Sequence, residues 1–161
     1  MCSKAWLGII SVGKLIKLVI VGTLGALVLG GFLKISEQIT GKAVYVLLLN
    51  VDYFPIIKNW HMNEPVEFLL HVFVSIILVK ILYWIIGVAG VSVKVYPYVV
   101  LSIVTGFLLY FSTMLSDRTP TLDDVVAFSY WMIGHIIYGV VIGSLIYYIE
   151  VTQLSQSKTD K

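Results

Sequence analysis

Residues 125–149 read VVAFSYWMIGHIIYGVVIGSLIYYI, twenty-five positions without Asp, Glu, Lys or Arg. A helix crossing the hydrocarbon core needs about 20 apolar residues at about 1.5 Å each, so this run predicts a membrane-spanning helix. His135, Gly139 and Gly143 recur every four residues, which places one ionisable ring and two patches without side chains on a single helix face. In lipid, glycines four apart let backbones approach, and an intramembrane polar group turns into the bundle. That face is expected to meet other helices.

Composition agrees. The 161 residues are 59% hydrophobic and 12% charged, and the mean hydropathy is +0.97. A chain of this size could not cover so much apolar surface in water, and the lipid bilayer is the implied solvent. There is room for about four spans and none for a separate soluble domain. The formal charge of +2 gives no support for nucleic-acid binding. One cysteine, Cys2, excludes an internal disulfide and a thiolate metal cluster.

Working outward, residues 18–33, LVIVGTLGALVLGGFL, form the first span, flanked by Lys17 and Lys34, whose stems can snorkel. No A-x-A cleavage site follows it, so a retained span is favoured over a signal peptide. Gly22, Ala26 and Gly30 fall four apart, the spacing of a close-packed helix face. Residues 34–65 are the longest connection. Within them AVYVLLLNVDYFPII is too short to cross and predicts a re-entrant or interface-lying helix, with Tyr45, Tyr53, Phe54 and Trp60 at headgroup level. The second span, about 66–86, starts after Pro65 and carries Glu67, His71 and Ser75 as one polar stripe. The third, about 95–115, has Ser102, Gly106 and Thr113 along one side with Tyr110 beside them. Ser75 and Ser102 are expected to bond carbonyls of their own helices. The loop SDRTPTLDD follows, with Thr121 or Asp123 available to cap the fourth span.

The expectation is an all-α polytopic membrane protein of four transmembrane helices, about 15–33, 66–86, 95–115 and 125–149, in a single domain with one long extracytoplasmic loop. Lysine and arginine placement, dominated by Lys4, Lys14 and Lys17 before the first span, predicts both termini in the cytoplasm. On that topology Glu67, His71, Tyr110 and His135 gather in the outer half of the membrane, a candidate polar pocket or proton-handling site. His135 lies roughly 15 Å below the outer surface. With unperturbed values near 6.5, imidazoles change charge in the range an acid-exposed envelope meets.

The phrase GHIIYGVVIGSLIY in the fourth span, the second-span histidine, the G-x-x-G-A pattern of the first span ending in a lysine and the proline-containing acidic loop together resemble the YagU/YqhR-like family of small bacterial inner-membrane proteins. The resemblance extends over all four spans. It implies a four-helix protein of the cytoplasmic membrane without assigned biochemical activity, and for one branch a part in acid resistance. It places the family's glycine-histidine pair on Gly134 and His135 and its other histidine on His71. Gly134 thus joins the packing glycines. The chain lacks the proline-proline-arginine-like segment associated with the YagU branch.

Catalytic signatures are missing: no G-x-S-x-G elbow, H-E-x-x-H or phosphate-binding glycine loop occurs. No metal site or cofactor is expected. A haem between His71 and His135 is disfavoured because their depths differ by about 7 Å. The sequence therefore points to a non-enzymatic envelope or stress-related membrane component, associating with itself or with a membrane partner through its glycine faces. A proton-responsive channel or transporter using the two histidines is the alternative.

Overall fold

The computed structural model describes residues 12–50, 62–91 and 93–159. Cys2, Lys4, Asp52, Tyr53, Phe54, Lys58, Trp60 and His61 lie outside them. Helix α1 is Val12–Thr40, α2 Val44–Leu49, α3 Glu64–Val88, α4 Tyr96–Tyr110, continued by a 3₁₀ turn Phe111–Leu115, and α5 Val125–Thr159. The described residues contain helices and no strands. Four segments, Val12–Thr40, Glu64–Val88, Tyr96–Leu115 and Val125–Ser155, are long and apolar enough to cross a membrane. This is the architecture of a multi-pass membrane protein.

Two spans run further than apolar character alone indicates. Helix α1 continues past Lys34 through Ser36 and Glu37, because propagation needs only the backbone bond to i−4. Ser36 and Thr40 hydroxyls return to the Phe32 and Ser36 carbonyls, at 2.8 and 2.7 Å. The stop is Gly41 (φ +70°), whose N–H bonds the Glu37 carbonyl at 2.8 Å. A left-handed residue there is what glycine tolerates best. Gly90 (φ +72°) ends α3 in the same way, with Val91 N–H returning to the Ile86 carbonyl and Gly90 N–H to that of Gly87. At its other end α3 is capped by the Asn63 side chain, which accepts from Val66 N–H, and Pro65 sits in the first turn where no donor is lost. Of the stretch 43–57, expected to hold a re-entrant or interface-lying helix, the described part contains α2, Val44–Leu49, and residues 51–57 lie outside the described residues.

Helix α5 packs against both α1 and α4. The α4 contact is a small-against-large series in steps of four running in opposite directions along the two helices. A Cβ on Gly143 would lie 3.1 Å from Tyr98 Cβ, and one on Gly139 would lie 2.7 Å from Val99 Cα and 3.0 Å from Ser102 Cβ. One turn on, the His135 ring occupies the space beside Gly106, and beyond it Trp131 meets Tyr110 with ring centroids 6.4 Å apart. On α1, Gly22 lies against the Ile76 backbone of α3, Gly30 against Phe68, and Gly25 against Tyr138 and Ile142 of α5. Ala26 is fully buried, and Gly134 packs under Leu29 of α1. Side chains pointing outward are apolar as well, among them Ile20 and Leu24 on α1, Phe73 and Trp84 on α3, Val104 on α4 and Val140 on α5, all exposed. Helices apolar on both faces suit a lipid surround.

These contacts predict that Gly139→Ala destabilises the detergent-solubilised protein by about 1–3 kcal/mol, since its Cβ meets backbone rather than a movable side chain. Gly31→Ala, with nothing within 4 Å of its Cβ, leaves stability unchanged or raises it. Thermal unfolding followed by circular dichroism compares the two.

Candidate functional site

Polar side chains lie at three levels of the bundle. At the middle level, Ser75 Oγ on α3 donates to the Gly22 carbonyl of α1 at 2.8 Å and lies 2.9 Å from Tyr138 Oη of α5. It does not bond its own helix as expected, because Gly22 lacks the Cβ that would hold α3 away from that carbonyl. Three helices meet at this hydroxyl. Ser102 differs again: it is wholly buried and its Oγ has no partner.

The two histidines sit near this level. His135 is 3% exposed, with Nδ1 2.9 Å from the Trp131 carbonyl and its ring 4.6 Å from the Trp131 ring centroid. Trp131 in turn donates Nε1–H to the Gly106 carbonyl at 2.7 Å, tying α5 to α4. His71 is half-buried, approaches the Ala26 backbone of α1, lies with its ring 5.9 Å from that of Phe68, and leaves Nε2 buried without a partner. Glu67 lies one turn away on α3, 3.8 Å from Arg118 in the loop before α5. Tyr110, buried, directs its hydroxyl to the Asp124 and Thr121 carbonyls at 3.2 and 3.4 Å. Of the four residues expected to ring a pocket, then, His71 and His135 lie within the bundle, while Glu67 and Tyr110 engage the connection between α4 and α5.

That end of the bundle carries a belt of paired charges. Lys42 bonds Asp124 at 2.7 Å. Asp124, rather than Thr121 or Asp123, caps α5, its Oδ1 accepting from Ala127 N–H at 3.0 Å. Glu37 Oε2 accepts from the N–H groups of Tyr45 and Val46 at 2.7 and 3.1 Å, fixing the start of α2. Lys34 pairs with Glu64, and the Tyr45 hydroxyl donates to the same carboxylate oxygen at 3.1 Å. Burial pushes the Tyr45 phenol up to about 12, and the hydrogen bond to Glu64 adds to it. Beside this trio an open groove of about 300 Å³ runs between α1 and α3, walled by Leu27, Gly30, Gly31, Pro65 and Phe68.

At the opposite end Glu150 on α5 is buried, accepting from Lys14 of α1 and Tyr83 of α3, each at 2.9 Å. The sequence reading passed over this carboxylate because the charge-free run stops one residue before it. Its signal was the helix continuing unbroken beyond Ile149 toward Lys158. The recurrence of Tyr98, Ser102, Gly106 and Tyr110 every four residues was likewise in view, without a partner series to set it against.

Among the described residues, no three His, Cys, Asp or Glu side chains gather in a metal-binding group. No family model, no curated protein and no solved structure matches the chain.

The Lys42 ammonium, aided by the Ala127 N–H, holds the Asp124 carboxyl below the usual aspartate range. Its contribution to stability is therefore complete above about pH 4, the ordinary aspartate value, and is lost as pH falls through the lower native one. Asp124→Ala is expected to cost about 0.5–2 kcal/mol at neutral pH through the lost cap. The gap between variant and parent should narrow on acidification below about pH 4, read from chemical unfolding in micelles across pH.

Proposed function

We propose that the chain is a non-enzymatic component of the bacterial cytoplasmic membrane, with both termini in the cytoplasm, that acts by binding within the bilayer in an envelope or stress-related process. Membership of the YagU/YqhR-like family is part of this proposal and rests on the sequence likeness over the four spans. One observation supports it above the others: three buried polar side chains fasten helices to one another. Ser75 joins α1, α3 and α5, Trp131 joins α5 to α4, and Glu150 joins α5 to α1 and α3. Groups held in such contacts fasten a bundle, its packing glycines are taken up inside it, and what remains for recognition is its apolar outer surface, the groove beside Gly31 and its charged end. On this reading the bilayer is the first partner, and a second copy or another membrane protein is the next.

A second reading, a proton-responsive channel or transporter, is favoured by a different observation. His71 Nε2, Ser102 Oγ and the Tyr98 hydroxyl lie buried with no hydrogen-bond partner, and buried polar groups without partners are uncommon and costly. A proton relay would use such spare valences.

One experiment separates the two. The purified protein is reconstituted in liposomes, a pH step is imposed, and internal pH is followed with a trapped dye. Binding without transport predicts a leak equal to that of empty vesicles, unchanged by His71→Gln with His135→Gln. Protein-dependent flux that the double variant abolishes would overturn it in favour of the relay.

A further inference from the structure

The charged trio and the groove beside it have a shape and a charge pattern that correspond to one class of molecule. The groove lies between two lipid-facing helices and its walls are apolar apart from its mouth, where Lys34, Tyr45 and Glu64 stand. Gly31 leaves it open, since a Cβ there would meet nothing within 4 Å, while Gly30 seats the Phe68 ring, whose Cε2 would lie 2.5 Å from a Cβ at that position, so that Phe68 forms the facing wall. An extended hydrocarbon chain fits such a slot, and in a bilayer acyl chains are the apolar material at hand.

The mouth specifies the headgroup. Lys34 Nζ and the Tyr45 hydroxyl both bond Oε1 of Glu64, which leaves Oε2 able to accept. The Lys34 ammonium has three N–H donors, of which Glu64 takes one. Both side chains are about half exposed, at 46% and 53%. A ligand can therefore be held while the Lys34–Glu64 pair stays closed, provided it offers an anion to the lysine and an N–H cation to the carboxylate.

We infer that this groove binds one phosphatidylethanolamine molecule, with an acyl chain over Gly31 between Leu27 and Phe68, its phosphate on Lys34 and its primary ammonium on Glu64. The inference rests on the reading of a component that acts by binding. The alternatives among common phospholipids each miss one contact. Phosphatidylcholine carries a trimethylammonium with no N–H to give Oε2, and phosphatidylglycerol satisfies the lysine but brings no cation to the glutamate and adds net negative charge beside it. A charge-assisted hydrogen bond of this kind is worth about tenfold in affinity or more.

The test is native mass spectrometry of the purified full chain in mild detergent, titrated with dioleoyl phosphatidylethanolamine, phosphatidylglycerol or phosphatidylcholine. The expected result is one phosphatidylethanolamine retained per chain at about tenfold lower lipid concentration than the other two. Glu64→Gln is expected to erase that preference while general lipid adducts persist. Gly31→Phe, which fills the open groove, removes the retained lipid, with circular dichroism melting confirming an intact fold for both variants. Equal retention of all three lipids, or retention unchanged in both variants, would mean annular lipid only and would overturn the inference. Because lipid retention is independent of proton flux, this failure is distinguishable from failure of the binding reading in liposomes.

Discussion

Close approach of backbones along α5 is the constraint on which the bundle depends. Two helices can pack at the distance seen between α4 and α5 only where one of each facing pair has little or no side chain: Gly143 under Tyr98, Gly139 under Ser102, Gly106 beside His135. In water, apolar burial would hold helices together even with poor fit. In lipid the outside is as apolar as the inside, and association falls to dispersion contacts and hydrogen bonds made at short range. The glycines make that range available, and the polar contacts follow from it. Trp131 reaches the Gly106 carbonyl and Ser75 reaches that of Gly22 because no Cβ stands between the helices.

The same constraint accounts for where the polar residues are. The Ser75 hydroxyl and the Trp131 indole, buried at glycine contacts, serve as inter-helix fasteners, while paired charges stand at the two ends: Lys14 with Glu150 at one, Lys34 with Glu64 and Lys42 with Asp124 at the other. Charge in a hydrocarbon layer is costly unless partnered or close to the interface. Two ionisable imidazoles, His71 and His135, lie in the interior, and they give the relay reading its interest. The groove at the Lys34 end, by contrast, is open to lipid and has polar valence left over.

Much of this was legible in the sequence. Four long apolar runs, three of them free of charge and the second carrying Glu67 and Lys80, are a composition signal, strong over twenty residues, and they correspond to the four long helices. The faces carrying Gly22, Ala26 and Gly30, and His135, Gly139 and Gly143, follow from spacing alone. Helix ends were harder. Lys34 and Glu37 halted an apolar count but not a helix, whose stop was written in Gly41, and Glu150 was hidden by the same rule. Which face meets which was not legible at all. Pairing Tyr98 with Gly143, or Ser75 with Gly22, depends on register between segments far apart in the chain, and Ser75 on its own reads as a serine bonded within its helix. The groove is a product of that register too. Lys34 and Glu64 are thirty residues apart, and neither residue alone marks a site.

The register between α4 and α5 is the central claim, and disulfide trapping measures it. With Cys2→Ser as background, Tyr98→Cys combined with Gly143→Cys places two Cβ atoms about 3.1 Å apart, about 0.7 Å short of the usual disulfide separation of about 3.8 Å, which a small outward shift of one helix supplies. Mild oxidation in the membrane is expected to link this pair almost completely. It is expected to leave Tyr98→Cys with Gly139→Cys, displaced by one turn or about 6 Å, unlinked. Linkage of the displaced pair in preference to the first, or of neither, would contradict the packing described for this bundle.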